Sequence, residues 1–273
     1  MRSHGTFGAV SPLEPAELLA AYDAQLRTDA ETPGARSVTR LGSLRLVEFG
    51  SGRGFITYRE LGVLGPAEVA ELVEAALAHF EANDEITKVE WKTRGHDHAP
   101  GLHDALVANG FVAQETESIM IGEAALLAVD VDPPAGVTIR KVTDETGVRA
   151  ACAMQDEVFG SDGGNDIADG VLLRIAKGDG LEIWVAEAEG DIVCAGRIEP
   201  VASTDFAGIW GGATRPQWRG RGIYRALTSA RAKSALASDK TLINSDSTEF
   251  SRPILERSGL VKVSTTTPYE WRR

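Results

Sequence analysis

The 273 residues are 43% hydrophobic and 25% charged, an ordinary globular balance that suits one large domain or two small ones. A formal charge of −12 at pH 7 argues against general nucleic-acid binding, which needs a positive field over the contact surface. No run of about 18 apolar residues occurs and the start MRSHGTFGAVSPLEPAELL has no apolar signal core, so neither membrane insertion nor classical secretion is encoded, and a cytoplasmic address is expected.

In chain order, a helix is expected from about Pro15 to Arg27, then strands Ser43 to Phe49 and Phe55 to Glu60 joined by a glycine-rich turn, Gly50 to Gly54. A helix from Pro66 to Phe80, a strand from Thr87 to Lys92, a helix from Leu102 to Asn109 stopped by Gly110 and a strand from Glu115 to Ile121 follow. Pro133, Pro134 and Gly136 interrupt both periodicities, so a domain boundary is placed at 131–136, dividing residues 1–130 from 137–273. Beyond it come a strand Val137 to Val142, a helix Asp144 to Phe159 that Thr143 would cap, a loop Gly160 to Gly164 and a helix Ile167 to Lys177. Strands Glu182 to Ala188 and Ile192 to Glu199 are joined by the hairpin signal Glu189-Gly190-Asp191. Strand Phe206 to Thr214, a helix reaching about Ala237, strand Thr241 to Ser245, a short helix Phe250 to Ser258 and strands Val261 to Ser264 and Tyr269 to Arg272 complete the chain. Hairpins mixed with crossovers imply an α/β class with mixed sheets and helices on their faces.

The two cysteines, Cys152 and Cys194, lie far apart with no Cys-x-x-Cys, which suits buried thiols better than a disulfide or metal site. Charge is uneven. Residues 1–125 hold 10 Lys or Arg against 19 Asp or Glu, whereas 126–273 hold 18 against 21, giving −9 and −3. Within the second part, Arg215, Arg219, Arg221, Arg225, Arg231 and Lys233 fall in a stretch without one acid.

That basic stretch contains PQWRGRGIYRAL, residues 216–227. A helix start favours acidic side chains, because its unpaired amides carry partial positive charge. Here Arg219, Arg221 and Arg225 stand instead, which anticipates an anionic ligand. Gly220 and Gly222 remove Cβ atoms from the approach and permit a left-handed turn. A nucleotide P-loop would require a Gly-Lys-Ser/Thr ending that is missing. A dinucleotide fingerprint would place a third glycine where Arg225 stands, although Asp246 lies near the distance of its ribose-binding acid.

The pattern Gln217-x-x-Gly220-x-Gly222-Ile223, continued by Ala226-Leu227, resembles the acyl-CoA-binding motif of the GNAT superfamily of N-acyltransferases. Residues 137–273 are similar to that family in element order, and Gly259-Leu260 resembles its usual Gly-Phe. The blocks PGLHDALVANGFV and RPILERSGLVKV share a Pro, helix, Gly, strand pattern, so the whole resembles tandem GNAT proteins whose first copy lacks the phosphate motif. The resemblance implies acetyl-CoA or a related acyl-CoA as co-substrate, without a metal, and a small-molecule amine as acceptor. It implies no nucleic-acid or membrane partner, and leaves a homodimer open. It implies that the backbone amides of Arg219, Gly220, Arg221, Gly222, Ile223 and Tyr224 hold the pyrophosphate, that Gly212 and Thr214 pair with the pantetheine arm, and that strands 206–214 and 241–245 splay to admit the thioester. A backbone N–H near Gly211 would steady the oxyanion.

The family's usual acid and base are not in place. Strand 206–214 has no carboxylate or histidine, and the tyrosine position, counted back from Gly259, is Leu255. Glu199 is the preferred base and Ser247 a candidate proton donor, with Thr248 and Ser251 as pantetheine contacts or helix caps. The missing acid and base motivate an alternative, a non-catalytic acyl-CoA-binding or regulatory module. A rival site is Arg94-Gly-His96-Asp97-His98 with His103, which could bind zinc but lacks ligand pairs at helical spacing.

Overall fold

The computed structural model describes residues 13–50, 52–160 and 164–273. The N-terminal twelve residues, Ser51 in the expected glycine turn and most of the expected Gly160 to Gly164 loop lie outside them. In the first half, α1 (Pro15–Gln25) and a 3-10 turn (Asp29–Glu31) precede the meander β1 (Ser37–Leu41), β2 (Leu44–Phe49) and β3 (Arg53–Tyr58). Next come α2 (Pro66–Glu81), β4 (Lys88–Lys92), α3 (Leu102–Ala108), β5 (Val112–Ala113), β6 (Glu117–Glu123) and the single turn α4 (Ala124–Leu127). After an irregular stretch the second half runs β7 (Val137–Val142), α5 (Glu145–Phe159), α6 (Gly164–Lys177), β8 (Glu182–Ala188), β9 (Asp191–Pro200) and β10 (Phe206–Thr214). A 3-10 turn (Pro216–Trp218), α7 (Ile223–Ala237), β11 (Leu242–Ser247), α8 (Arg252–Arg257), β12 (Val261–Thr266) and β13 (Pro268–Arg272) end it.

The strands form two mixed sheets, in the orders β1-β2-β3-β4-β13-β5 and β12-β6-β11-β10-β9-β8-β7. One order repeats the other. In each, an antiparallel meander ends on a strand (β3 or β10) that pairs in parallel with the strand after the next helix (β4 or β11). Beside that strand lies one contributed by the other half: β13 in the first sheet and β6 in the second. A second helix and an edge strand close each unit, α3 with β5 and α8 with β12. Both helices stop at a left-handed glycine, Gly110 or Gly259, and the amide after it reaches back to the helix (Phe111 to Leu106, Leu260 to Leu255). The mixed α/β architecture is thus a duplication with exchanged strands. A cut at 131–136 would not separate the two sheets.

Each sheet buries one face against its own crossover helix. Trp91 and Val89 of β4 pack with Val69, Val73 and Phe80 of α2, while Ile198, Ile209 and Ile243 pack with Ala232 and Ala235 of α7. On the opposite face of the second sheet, Leu18 and Tyr22 of α1 cover Ile119, Ile121, Phe206 and Leu242. Differences from expectation are local. β1 is an exposed edge strand without apolar alternation, and β5 and α4 are too short to leave a periodicity. Asp144, not Thr143, caps α5, its carboxylate accepting from the Gly147 amide at 2.8 Å.

The exchange of strands predicts that a cut at one end of the chain is felt at the other. Deleting residues 268–273 should expose the β4 ladder at Lys88–Lys92 and remove Tyr269 from the first core, while leaving the β9–β10 ladder protected. Hydrogen exchange on the truncated chain checks this; unchanged protection at 88–92 would refute the coupling.

Candidate active site

The turn before α7 is built as the glycine-arginine stretch requires. Gly220 and Gly222 have φ of +72° and +83°, in the left-handed region, and a Cβ on either would point into open space. Among the described residues, the amides of 220–225 have no acceptor. They are the orphan donors of a helix start. Arg219 departs from the expectation: its amide donates to Pro216 O at 3.2 Å inside the 3-10 turn, and its Nε holds the Thr214 carbonyl at 3.0 Å. The basic stretch also divides. Arg219, Arg221 and Arg225 are exposed, with Arg221 stacked on Trp218, whereas Arg215 pairs with Glu157 and Lys233 with Asp130. Arg231 is fully buried, donating to Arg197 O and Thr228 Oγ1, so it adds nothing to a surface patch.

The preceding strand opens beside its parallel neighbour. β10 and β11 pair only at Phe206–Leu242, Ala207–Ile243 and Gly208–Asn244. Farther on, β10 continues against β9 and β11 against β6, so a gap separates residues 209–214 from 245–247. A bulge lies on the β10 side of that gap: Gly211 has φ of +60°, and the Gln155 amide holds its carbonyl. A Cβ on Gly212 would lie 2.7 Å from the Tyr224 hydroxyl, which explains that glycine by close packing. Since the Arg215 amide donates to Val193 O of β9, strand alternation turns the backbone groups of Gly212 and Thr214 toward the gap.

The two faces of the second sheet carry different chemistry. Glu199, Gly208 and Asn244 share a rung, so they face the same way, together with Trp210 and Asp246. Ser245 and Ser247 alternate to the α7 side, where the Ser247 hydroxyl donates to Ser245 Oγ at 3.3 Å. The first face lines a cavity of about 580 Å³ between the two sheets. Its walls include Glu90 and Lys92 of β4, Glu199 and Trp210, and Asn244 and Asp246 of β11.

Most charges there are matched. Lys92 Nζ lies 2.7 Å from Asp246, both largely buried; burial lowers the lysine's pKa, but Asp246 with Tyr22 and Glu31 more than offsets it, so the net shift is upward. Glu31 is buried, which pushes it up, yet Arg94, Lys92, Thr57 and Arg45 hold it below its ordinary value. Glu199 is held by Arg174 and by Arg197 Nε at 3.2 Å. Glu90 and Glu117 have no cationic partner among the described residues. Burial, then the Asp246 carboxylate, pushes Glu117 up to about 6, with Lys92 opposing and Glu90 and Glu115 adding to the rise. Asn244 is 5% exposed, and its Oδ1 has no hydrogen-bond partner among the described residues.

In sequence the chain matches no family model and no curated protein. In structure it is similar to a GCN5-related N-acetyltransferase from Kribbella flavida, with a TM-score of 0.66 at 18% identity over 89% of this chain and 93% of that one. A GCN5-related N-acetyltransferase from Sphaerobacter thermophilus gives 0.60 at 15% identity over 96% and 94%. A tandem GNAT protein from the clavulanic acid biosynthesis pathway gives 0.57 at 15% over 96% and 97%. The fold is that of the GNAT proteins, in tandem.

Within the GNAT fold the expected site residues fall in distinct places. Gly220, Arg221, Gly222, Ile223 and Tyr224 form the head of α7, Ile223 with its side chain in the core and Tyr224 packed on Gly212. Glu199 and Ser247 lie on opposite faces of the sheet. Thr248 and Ser251 do not cap α8 through their side chains, whose start is closed by backbone bonds to Thr248 O. Leu255, at the tyrosine position, is buried in the core. Asp246, which carried the dinucleotide alternative, is paired with Lys92 on the face away from α7. The histidines do not converge: His96 bonds Ser264 and Asp23, His103 bonds Tyr269, and Asp97 grips Arg27 with both oxygens. Among the described residues, no group of three or more His, Cys, Asp or Glu is arranged to hold a metal.

Sequence reading missed Glu90, Lys92, Glu117 and Asn244. A signal existed for two, since Lys88-Val-Glu-Trp-Lys92 alternates charged and apolar residues and so announces a charged face. For Glu117 the structure makes a stability prediction. Its folded pKa lies above the ordinary value of 4.5, so the folded state binds the proton more tightly; the destabilisation is absent below about 4.5 and full above about 6. Glu117→Gln should therefore melt higher than the parent at pH 7.5, with the gap closing as pH falls toward 4.5. Thermal denaturation across that range checks it, and an equal gap at both ends would refute it.

Proposed function

We propose that the protein is an acyl-CoA-dependent N-acyltransferase that moves an acetyl or other small acyl group to a small-molecule amine by direct attack in a ternary complex. The observation that carries this reading is the parting of β10 and β11 beyond Gly208 and Asn244, with unpaired amides at the head of α7 on one side of the sheet and a cavity on the other. The pyrophosphate of CoA would bind the amides of Gly220–Tyr224, with Arg219, Arg221 and Arg225 at the rim. The pantetheine would lie along Gly212 and Thr214 as an added strand, bringing the thioester into the gap. Residues 137–273 supply these groups. Residues 1–130 act as the copy that completes the acceptor side through Glu90 and Lys92.

The chemistry follows from which face each group occupies. An amine in the cavity attacks the thioester carbonyl, forming the C–N bond, and the C–S bond then breaks. Glu199, on the cavity face, takes the amine's proton directly or through water, while the thiolate leaves toward the α7 face, where Ser247 is the candidate proton donor. The Gly211 bulge turns a peptide out of the ladder beside the gap, a suitable place for a donor to the oxyanion. The second reading, an acyl-CoA-binding module without catalysis, is favoured by Leu255 at the tyrosine position and by the two guanidiniums that occupy Glu199.

Two variants and one product assay separate these readings. Gly222→Glu puts a side chain in a left-handed position and an anion in the phosphate seat; CoA affinity by calorimetry should fall at least ~100-fold, or about 2.7 kcal/mol. Unchanged affinity in a folded variant would refute the seat. Glu199→Gln should slow thiol release from acetyl-CoA by ~10²-fold with little change in CoA affinity. Full activity in that variant would remove Glu199 as base, and tight CoA binding without thiol release across an amine panel would favour the binding module.

A further inference from the structure

The cavity is electrically lopsided. At one end Glu90 of β4 and Asp246 of β11 line the cavity with the ammonium of Lys92, and Glu117 of β6 lies behind them, near enough to feel Asp246, Lys92 and Glu90. Glu117 stands on the face of β6 shared with Ile119, the partner of Asp246, which directs it to this side of the sheet. Because Lys92 lies 2.7 Å from Asp246, it neutralises that carboxylate and leaves Glu90 and Glu117 without a cation among the described residues. Partly buried like charges repel and destabilise a fold unless a positive group joins them.

A different kind of vacancy lies nearer the gap. Asn244 is 5% exposed and lines the same cavity, and its Oδ1 accepts no hydrogen bond from any described residue. A buried amide oxygen needs a donor, and this one stands on the last rung before β10 and β11 part.

We propose that the cavity takes an acceptor with two amino groups: Asn244 Oδ1 accepts from the N–H of the amine being acylated, and Glu90 with Glu117 seats the second as an ammonium. The inference rests on the acyl-transfer reading for its first half and on the carboxylate cluster for its second. Asn244 and Asp246 are two residues apart on an extended strand, about 7 Å, and Glu90 lies beyond on the facing sheet, so diamines with linkers of four and five carbons are the probes of this spacing. The charged groups that bear on Glu117 are Asp246 of β11, Lys92 and Glu90 of β4, and Glu115 beside it; only Lys92 is positive, and Asp246 claims it. Seating therefore weakens as pH falls through about 6, where Glu117 takes up its proton.

The test titrates 1,4-diaminobutane, 1,5-diaminopentane, butylamine and 4-aminobutanoate into the full-length protein by calorimetry at pH 7.5 and pH 5, with thiol release from acetyl-CoA followed in parallel. Both diamines should bind about tenfold more tightly than butylamine at pH 7.5, and lose that advantage at pH 5. The Glu90→Gln, Glu117→Gln double variant should erase the difference between the diamines and butylamine; Asn244→Leu should weaken diamine and butylamine alike. Equal binding of butylamine and the diamines, or an undiminished advantage in the folded double variant, would overturn the subsite. The two readings fail separately. Diamine binding without thiol release would keep the subsite and remove the transferase, whereas equally efficient release with butylamine would keep the transferase and remove the subsite.

Discussion

Everything at the candidate site depends on two parallel strands ceasing to pair. β10 and β11 share three rungs and then part at Gly208 and Asn244. Opening a sheet in its middle strips backbone donors and acceptors of partners, a cost that must be met by another ligand for those groups. Here the outer neighbours hold the strands in place, β9 along β10 to Thr214 and β6 along β11 to Ser247, so the opening does not unravel the sheet. The Gly211 bulge bends β10 beside it, and the Gln155 amide fastens the bulge to α5. The gap is thus a fixed feature of the fold, lined on one edge by backbone groups that an extended amide-bearing chain can satisfy.

The duplication sets the two helix starts side by side for comparison. α2 and α7 occupy equivalent places, each between a meander strand and its parallel neighbour. At the head of α2 the chain answers its own orphan donors: the Glu68 carboxylate accepts from the Gly65 amide at 2.7 Å. The first turn of α7 has no acid, and its leading amides stay free among the described residues. An acidic capping residue and an anion compete for the same partial charge, so the difference of one carboxylate separates a self-capped helix start from one left open to an anion. The first copy keeps its role through the wall it presents. β4 brings Glu90 and Lys92 to the cavity, and Lys92 ties the first sheet to the second through Asp246.

Local chemistry was legible in the letters and long-range juxtaposition was not. The Glu189-Gly190 turn with both residues at positive φ, the stopping glycines and the left-handed glycine turn before α7 all rest on neighbouring residues and stand where local rules put them, while the starts of α5 and α6 shift by one and three residues. The exchange of β6 and β13 pairs segments far apart in sequence, and no periodicity records it. Lys92 and Asp246 are 154 positions apart, and their meeting depends on both sheets being assembled. Burial misled in one place: Arg231 counts as basic in sequence but lies under the helix, with Thr228 and a carbonyl of β9 as partners. A composition-based charge patch includes every cation on a helix, whereas one lying in the stripe that faces the core, as Arg231 does, never meets solvent.

The net charge of −12 and a phosphate-binding turn look incompatible until the sheet is considered as a partition. Exposed arginines stand at the head of α7 on one side, while carboxylates line the cavity on the other, Glu90 among them without a cationic partner among the described residues. At physiological ionic strength fields between exposed charges fade over about 8 Å, so the two regions act on their own ligands with little cancellation by the average charge. On the proposed reading a polyanion would be drawn to the first and a cation to the second, and the opening between β10 and β11 is where the two would meet. The same separation would give the proposed reaction a direction. The amine's proton would be released among carboxylates and the thiolate would depart toward arginines and unpaired amides, so charge created on each side would face groups of opposite sign.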